Sequence, residues 1–365
     1  MPLKLRQVPS VYSEEEVRRY LAHIGFPGLS GDGSAAASGA AALPPPTLRT
    51  LALLQLHHLT TMPFENTSLH YEHEHQVRIE PHHCLERFVA RNAGGYCMQQ
   101  NLVLLNVLRF LGFRCFSSAG RVLERPANEE PSLTGFGHMV VLVLLPSHLS
   151  TDNGAEVLYH CDVGYGAGCA LRPLLLREGH EEQGREGQAH RLVQTLHPQS
   201  ALEESDDGPH CIPDLAASAQ HMWALQHRTG DGEWLTQYVF MLTETLPTDY
   251  EAMNTHTSRS EKAIFSRVIM LCYFTRSWTT PDEDAPALYP YPPNTIGLRT
   301  LFQQGLTLRP AACDGGGEER IQLKSETERV EQIKKYFHLL SDIATEDAVA
   351  AIKGRTPELQ PAAEA

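Results

Sequence analysis

Two consecutive glycines, Gly94 and Gly95, stand directly before a long apolar segment in this sequence. The apolar residues that follow at helical spacing are Leu102, Leu105, Leu108 and Leu111, and Gly112 is placed to cap the end. Because glycine adopts backbone conformations closed to other residues, the pattern predicts a tight turn that leads into a buried helix. Cys97 falls in the first turn of that helix.

The start of a helix favours a negative charge, because its first N–H groups lack partners and its dipole is positive there. A cysteine thiolate is stabilised in such a position, so Cys97 is predicted to be a nucleophile. The alternative is that Gly94 to Cys97 is only a tight turn and that the thiol fills space in the core.

Two residues further along the chain could complete a catalytic group. His138 precedes the apolar run 139–145, and Asp162 ends the apolar run 157–161, just before the glycine-rich segment 163–168. A nucleophilic thiol needs a base and a third group that orients the base. If the two strands are neighbours, Asp162 lies beside His138. Alone, each could be a surface or turn residue; with Cys97 they predict a Cys-His-Asp triad.

The remaining pattern predicts helices in the first third and strands in the middle. Helices are expected after the caps Ser13, Thr47 and Ser325. Strands are expected over 113–122, 138–145, 157–163, 223–227 and 234–242. Segment 28–46 is predicted to be a surface insertion, segments 124–134, 146–156 and 178–222 to be loops, and the tail after Lys353 to be disordered. Cys161 is expected to face away from Asp162 across its strand.

The composition limits the partners and the compartment. Thirty basic and 44 acidic residues give a net charge of -14, which argues against nucleic acid or an anionic membrane as the main partner. Residues 1–19 hold no signal-peptide run, and no stretch approaches the roughly 20 apolar residues of a membrane span. The eight cysteines have no CxxC spacing, so a reduced, cytoplasmic protein is expected. The histidine-rich segment 70–75 fits no common zinc motif, and no metal is expected.

Several segments resemble signatures of the arylamine N-acetyltransferase family. They are Pro63-Phe-Glu-Asn66, Gly94-Gly-Tyr-Cys-Met-Gln-Gln-Asn101, Gly137-His138 before a strand, Asp162-Val-Gly-Tyr-Gly166, and 240–265 at the start of the family's third domain. The resemblance implies an α+β fold with a papain-like Cys-His-Asp core in three parts. These are a helical bundle over 1–112, a β-barrel over 113–244 and an α/β lid over 245–365. The long loops are similar to those of the insertion-bearing fungal branch.

The resemblance also implies an activity. Cys97 would carry the acyl group, His138 would act as base and Asp162 would orient it, in ping-pong transfer from a CoA thioester to an aromatic amine or hydrazine. Acetyl-CoA or malonyl-CoA would be a co-substrate, with no bound cofactor, in a role such as detoxification of xenobiotics. The residues implied at the substrates are Phe136, Gly137, Gly164, Tyr165 and Gly166 at the acyl and amine pocket, and Asn254 and Thr255 near CoA.

One position departs from the family pattern. Ala93 stands where the family usually has an arginine, and Arg91 lies two residues earlier. The resemblance then implies either lower activity or that Arg91 takes over the role, which keeps a weakened or non-catalytic member open. The same triad would also serve a Cys-His-Asp hydrolase of thioesters or amides, or a transglutaminase-like enzyme. The sequence does not determine the oligomeric state, and a monomer is consistent with it.

Overall fold

A computed structural model describes residues 4–27, 42–125, 130–147, 155–203, 221–278, 289 and 291–359 of the 365-residue chain. Its helices are α1 (Glu14–His23), α2 (Leu48–Leu59), α3 (Thr67–His70), α4 (Pro81–Arg91), α5 (Cys97–Phe110), α6 (Pro247–Arg259), α7 (Ile264–Arg267), α8 (Glu326–Phe337) and α9 (Thr345–Ile352). The predicted caps are confirmed: the side chains of Ser13, Thr47 and Ser325 each accept a backbone N–H of the first turn.

The strands follow the helices of the first third and alternate with few helices afterwards. They are β1 (Phe64–Glu65), β2 (Arg114–Glu124), β3 (Ser132–Leu133), β4 (His138–Pro146), β5 (Glu156–Cys161), β6 (Leu174–Leu175), β7 (Glu181–Gln183), β8 (Gln188–Thr195), β9 (Met222–Thr229), β10 (Leu235–Phe240), β11 (Met270–Arg276), β12 (Ile296–Phe302), β13 (Gly305–Arg309) and β14 (Glu319–Gln322). The five strands expected from the sequence are all present, within a few residues at each end.

The larger sheet curls into a nearly closed barrel. Its strand order is β6-β5-β4-β2-β10-β9-β8-β7, and β3 pairs with β2. The strands at the two ends of this order, β6 and β7, are joined by residues 176–180 alone. So short a connection requires the two edges to lie close together. Alternate residues, such as Val140, Leu142, Leu225 and Phe240, fill the interior.

The outer face of the barrel packs on the helices. Met139, Val141 and Val143 of β4 share one buried cluster with Val103 and Leu104 of α5. Because successive side chains of a strand point to opposite faces, β4 is apolar throughout and joins the barrel interior to the helical layer. This packing holds the start of α5 close to the start of β4.

The second sheet is antiparallel, in the order β1-β11-β12-β13-β14, and α8 and α9 cover one of its faces. Phe64 of β1 pairs with Cys272 of β11. The first 112 residues therefore contribute a strand to the sheet of the last third, which the division at residues 112 and 244 does not anticipate.

Three predictions of irregular structure were wrong in part. Segment 124–134 contains β3, which pairs with the end of β2. Segment 178–222 contains β7 and β8, and β8 pairs with β9 along its whole length; it was missed because only His190 and Leu192 of β8 are fully buried. The tail is ordered as far as Leu359, whose N–H donates to Glu326. Residues 28–41, 126–129, 148–154, 204–220 and 360–365 of the predicted insertions and tail lie outside the described residues. No helix within the described ranges is long and apolar enough to cross a membrane.

Candidate active site

Cys97 is the first residue of α5, as predicted, and its side chain is almost fully buried. Tyr96 before it has an extended backbone, and its N–H donates to Oε1 of Gln99 at 3.3 Å. The thiol of Cys97 donates to the carbonyl oxygen of Gly137 at 3.4 Å. The helix start therefore brings the sulfur against the segment that leads into β4.

The two glycines before Tyr96 serve close packing. Neither is among the residues with a positive φ, so the expected special backbone conformation was wrong. A Cβ at Gly94 would lie 1.8 Å from the carbonyl oxygen of Pro63, and a Cβ at Gly95 would lie 2.4 Å from Oε1 of Gln99. Glycine is required here because other atoms occupy the space of a side chain.

His138 and Asp162 form a buried pair. The strands β4 and β5 are antiparallel neighbours, as expected, with Val141 paired to Cys161. This register brings Asp162, directly after β5, beside the first residue of β4. Nε2 of His138 lies 2.8 Å from Oδ2 of Asp162, and both side chains are almost fully buried. As predicted, Cys161 faces the other way; its thiol donates to Oε1 of Gln55 on α2.

The pair holds one positive and one negative charge at neutral pH. Burial lowers the pKa of His138, but the carboxylate of Asp162 and the hydrogen bond with Cys97 outweigh burial and raise it to about 10. Burial alone would raise the pKa of Asp162, but the charge and hydrogen bond of His138 hold it well below the usual range. With Nε2 bound to Asp162, the other ring nitrogen of His138 is left for the thiol.

Asp162 has three further donors that the sequence analysis missed. Nδ2 of Asn101 and the N–H of Gly164 each donate to Oδ1 at 2.8 Å, and the hydroxyl of Tyr238 donates to Oδ2 at 2.7 Å. Asn101 lies four residues after Cys97, so helical spacing could have placed it on the same face. Tyr238 is 76 residues from Asp162 along the chain, and its approach follows only from the closure of the barrel.

A cavity of about 890 Å³ opens onto Cys97 and His138. Its walls include five of the residues expected at the substrates, namely Phe136, Gly137, Gly164, Tyr165 and Gly166. The ring of Tyr165 meets the ring of His138 edge-on, with centroids 5.5 Å apart. A volume of this size holds a small aromatic molecule together with part of a longer ligand.

The other two expected substrate contacts, Asn254 and Thr255, do not line this cavity. The side chain of Asn254 binds the hydroxyl of Tyr96 instead, and the hydroxyl of Thr255 donates back to the carbonyl of Glu251 within α6. The two residues that follow on α6, His256 and Thr257, face the cavity and form part of its wall.

The cavity wall is basic although the chain as a whole is acidic. Arg125, Lys262 and Arg267 line it, against Glu124 alone among the acidic residues of the described lining. Three cations and one anion give a formal charge of +2 with histidine neutral, in a chain of net charge -14. Such a wall attracts anionic ligands.

Arg91 does not support the nucleophile segment. Its guanidinium bridges Glu72 and Asp342 on the surface, at 3.0 and 2.8 Å. Of the two alternatives left open for Ala93, the one in which Arg91 takes over the role of the arginine is therefore wrong. The reason is geometric, because α4 ends at Arg91 and directs this side chain towards Asp342 near the C-terminal end of α8.

Gly164 is the tightest point between the nucleophile and Asp162. A Cβ there would lie 2.5 Å from Cα of Cys97 and 2.8 Å from Nδ2 of Asn101. We expect Gly164→Ala to destabilise the fold by about 1–3 kcal/mol and to slow alkylation of Cys97 by iodoacetamide at least tenfold, about one to two kcal/mol in barrier. Denaturant unfolding and mass-monitored labelling measure the two effects.

Gly135→Ala is the matched control, because Gly135 lines the same cavity and a Cβ there would meet nothing within 4 Å. This variant should keep the stability and the labelling rate of the parent protein. Equal behaviour of the two alanine variants would contradict the close approach at Gly164.

Comparison with known proteins identifies the group to which this site belongs. Residues 47–279 match the protein-family model described as N-acetyltransferase. The chain belongs to the arylamine N-acetyltransferase family. It is an acyltransferase, as its curated relatives in this family are.

Two relatives illustrate the range of this family. An N-malonyltransferase of Gibberella moniliformis is 29% identical over 370 residues, with 95% of each chain covered. The arylamine N-acetyltransferase of Escherichia coli is 29% identical over 235 residues, which cover 64% of this chain and 68% of that one. The similarity to the fungal protein therefore includes the C-terminal third.

Solved structures of the family share the fold. The Mycobacterium marinum arylamine N-acetyltransferase superposes with a TM-score of 0.65 at 21% identity, covering 93% of this chain and 99% of that one. A structure of the same bacterial protein in complex with CoA gives a TM-score of 0.64 at 21% identity, covering 92% and 98%. The expected α+β fold class with a papain-like core is confirmed.

Proposed function

We propose that this protein transfers an acyl group from a CoA thioester, through a thioester on Cys97, to an aromatic amine or hydrazine. The observation that carries the proposal is the buried arrangement in which Cys97, His138 and Asp162 meet at the end of a basic cavity. A protonated imidazole beside the sulfur is the arrangement in which a cysteine acts as a thiolate nucleophile.

In the first half-reaction, the sulfur of Cys97 attacks the thioester carbonyl and the C–S bond to CoA breaks. His138 gives its proton to the departing CoA sulfur, so the free thiol of CoA leaves. The Cys97 N–H, which has no partner within the helix because it belongs to the first turn, is available to the tetrahedral oxyanion. Exchange of one thioester for another needs little driving force.

In the second half-reaction, the amine nitrogen attacks the acyl carbon on Cys97. An aromatic amine is neutral at pH 7 and attacks without first losing a proton. His138, now neutral, takes the proton from the nitrogen as the C–S bond to Cys97 breaks. The amide leaves, and the enzyme returns to its starting protonation state. The order of steps is ping-pong because CoA must depart before the amine enters.

We favour malonyl-CoA as the donor. Two observations support this choice over acetyl-CoA: the relative that matches 95% of both chains is named an N-malonyltransferase, and the cavity wall has three cations against one anion. A malonyl group ends in a carboxylate, which a basic wall holds and an acetyl group does not use. The CoA phosphates would share the same cations.

The similarity to relatives and the state of the cysteines also support a branch of the family, a compartment and a biological role. The full-length similarity to a fungal protein supports the insertion-bearing fungal branch. The seven cysteines in the described part of the chain are unpaired, which favours a reducing compartment such as the cytoplasm. Acylation of reactive aromatic amines lowers their basicity and reactivity, so detoxification is the role that we assign.

The test is the mass of the protein after mixing with malonyl-CoA or acetyl-CoA in the absence of an amine. We expect a gain of one acyl group on Cys97, located by peptide mapping, and faster acylation by malonyl-CoA. Addition of an aromatic amine should remove the group and yield the amide.

The competing hydrolase predicts release of CoA and free acid without any amine, and no persistent acyl group. Steady turnover under those conditions would therefore overturn the transferase proposal. An unmodified Cys97 after incubation with both donors would overturn the thioester intermediate itself.

A further inference from the structure

Position 93 of the nucleophile segment is alanine, where the family resemblance implies arginine, and Arg91 does not take the place of that arginine. Arg87, one helical turn earlier on α4, instead reaches the segment from within the core. Its side chain is almost completely buried, with 4% of its surface exposed. A charged group at such depth needs partners on every side.

The partners of Arg87 are two groups beside the nucleophile, the carbonyl of Gly94 and the carboxylate of Glu65, and a third, Glu72, which Arg91 also binds. Nε donates to the carbonyl oxygen of Gly94 at 2.9 Å, Nη2 to Oε1 of Glu65 at 2.8 Å and Nη1 to Oε1 of Glu72 at 2.5 Å. The backbone carbonyl of Arg87 also accepts the N–H of Ala93 at 3.2 Å. Side chain and main chain of one residue thus hold positions 93 and 94.

Glu65 transmits this anchor to the strand beside the nucleophile. Its second carboxylate oxygen accepts both the N–H and the hydroxyl of Thr67 at 2.5 Å, which fixes its orientation. The N–H of Glu65 donates to the carbonyl of Gly95 at 3.1 Å, and the N–H of Gly95 donates to the carbonyl of Pro63 at 3.3 Å. Residues 94 and 95 are therefore held from both sides, two residues before the sulfur.

We propose that Arg87 is the positioning residue of the nucleophile, acting through Gly94 and Glu65 in place of an arginine at position 93. Arg87 does not line the cavity, so it acts on the placement of Cys97 and not on substrate binding. Reaction rates at such sites fall about 100-fold for a misplacement of about 1 Å. The proposal rests on the transferase function, but thiol reactivity tests it without any acyl donor.

The experiment compares four variants of the full chain: Arg87→Met, Arg87→Lys, the double variant Arg87→Met with Glu65→Gln, and Arg91→Met. Arg91→Met is the matched control: Arg91 lies on the same helix and shares the carboxylate of Glu72 with Arg87, but it does not contact Gly94 or Glu65. It therefore separates the loss of an ion pair to Glu72 from the loss of the contacts to Gly94 and Glu65. Arg87→Met leaves the buried carboxylate of Glu65 without its ion-pair partner, which could prevent folding. The double variant removes that charge and so tests the role of Arg87 without it. Each rate is expressed per folded molecule, from circular dichroism.

Two rates are measured for each variant: alkylation of Cys97 by iodoacetamide between pH 5 and 9, and acylation by malonyl-CoA without amine. We expect Arg87→Met and the double variant to lose about 100-fold in both rates. Arg87→Lys should lose about tenfold, because lysine keeps the charge but not the planar guanidinium. Arg91→Met should keep both rates within about twofold of the parent protein. The Kd for CoA should stay unchanged, because Arg87 does not line the cavity.

A purely structural role for Arg87 would lower the melting temperature and leave both rates per folded molecule near those of the parent protein. That result, or equal losses in Arg87→Met and Arg91→Met, would overturn the proposal. If Cys97 of the parent protein is alkylated rapidly but is never acylated, the proposed transferase function is wrong. The alkylation rates of the variants still decide the role of Arg87 in that case.

Discussion

Cys97→Ala is expected to abolish acyl transfer, with a loss of at least about 10⁴-fold, since no other group at the site can carry the acyl chain. Cys97→Ser should behave alike, because a serine hydroxyl at this position would have to lose its proton to a histidine that already holds one. In the parent protein, against the lowering effect of burial, Asp162 and to a smaller extent Cys97 raise the pKa of His138 to about 10. The serine variant keeps the contribution of Asp162, so the imidazole should still hold its proton at neutral pH. It can pair with a thiolate but cannot act as a base towards a hydroxyl.

Both variants should keep the fold, because the side chain of Cys97 borders the cavity and the change in volume is small. Acyl transfer to an aromatic amine and circular dichroism are the measurements. Cys313→Ala is the control, since this thiol is exposed and lies far from the triad in the chain; it should leave activity unchanged. An active Cys97→Ala enzyme would refute the nucleophile assignment.

The triad could be predicted because each member lies at an end of an element that the sequence marks clearly. The glycine pair and the apolar helix mark the position of Cys97, and two predominantly apolar strands mark His138 and Asp162. Their pairing follows from a general rule, that strands close in sequence tend to be neighbours in a sheet. No long-range contact had to be known in advance.

The supports of the triad could not be predicted, since they come from distant parts of the chain. Tyr238 meets Asp162 only because β10 pairs with β2 and the barrel closes. The second contact of its hydroxyl is to Nε2 of His160, at 2.9 Å, inside the barrel. Arg87 was missed for another reason, because an arginine in an amphipathic helix is usually exposed and nothing in the local pattern indicates burial.

Asp162→Asn is expected to reduce acyl transfer by about 10³- to 10⁴-fold through a wrong tautomer of His138. Loss of the carboxylate from a triad of this kind acts in the same way in serine proteases. Here the hydrogen bonds decide how the amide would sit. Oδ1 of Asp162 accepts from Asn101 and Gly164, so the amide oxygen must stay there and its NH₂ group must face His138 and Tyr238.

An NH₂ group cannot accept the N–H of Nε2, so a neutral His138 would carry its proton on Nδ1, the nitrogen towards Cys97. That tautomer cannot take a proton from the thiol or from an attacking amine. Tyr238→Phe is the matched control: it removes one hydrogen bond to Asp162 but keeps the carboxylate and the tautomer, and we expect a loss of no more than about tenfold. A similar loss in both variants would contradict the tautomer argument.

The pH dependence of the free energy of unfolding tests the effect of Asp162→Asn independently of enzyme activity. The folded pKa of His138 lies above its ordinary value of 6.5, at about 10. Its stabilising contribution is therefore complete below pH 6.5 and is lost as the pH rises towards 10. The folded pKa of Asp162 lies below its ordinary value of 3.8, so its contribution to stability is present above that pH and is lost on acidification.

The free energy of unfolding of the parent protein should exceed that of Asp162→Asn most between about pH 4 and 6.5. The difference should narrow towards pH 10, as denaturant titrations at a series of pH values would measure. A difference that does not change between pH 6 and 10 would mean that Asp162 does not raise the pKa of His138, and the charge pairing on which the nucleophile depends would have to be abandoned.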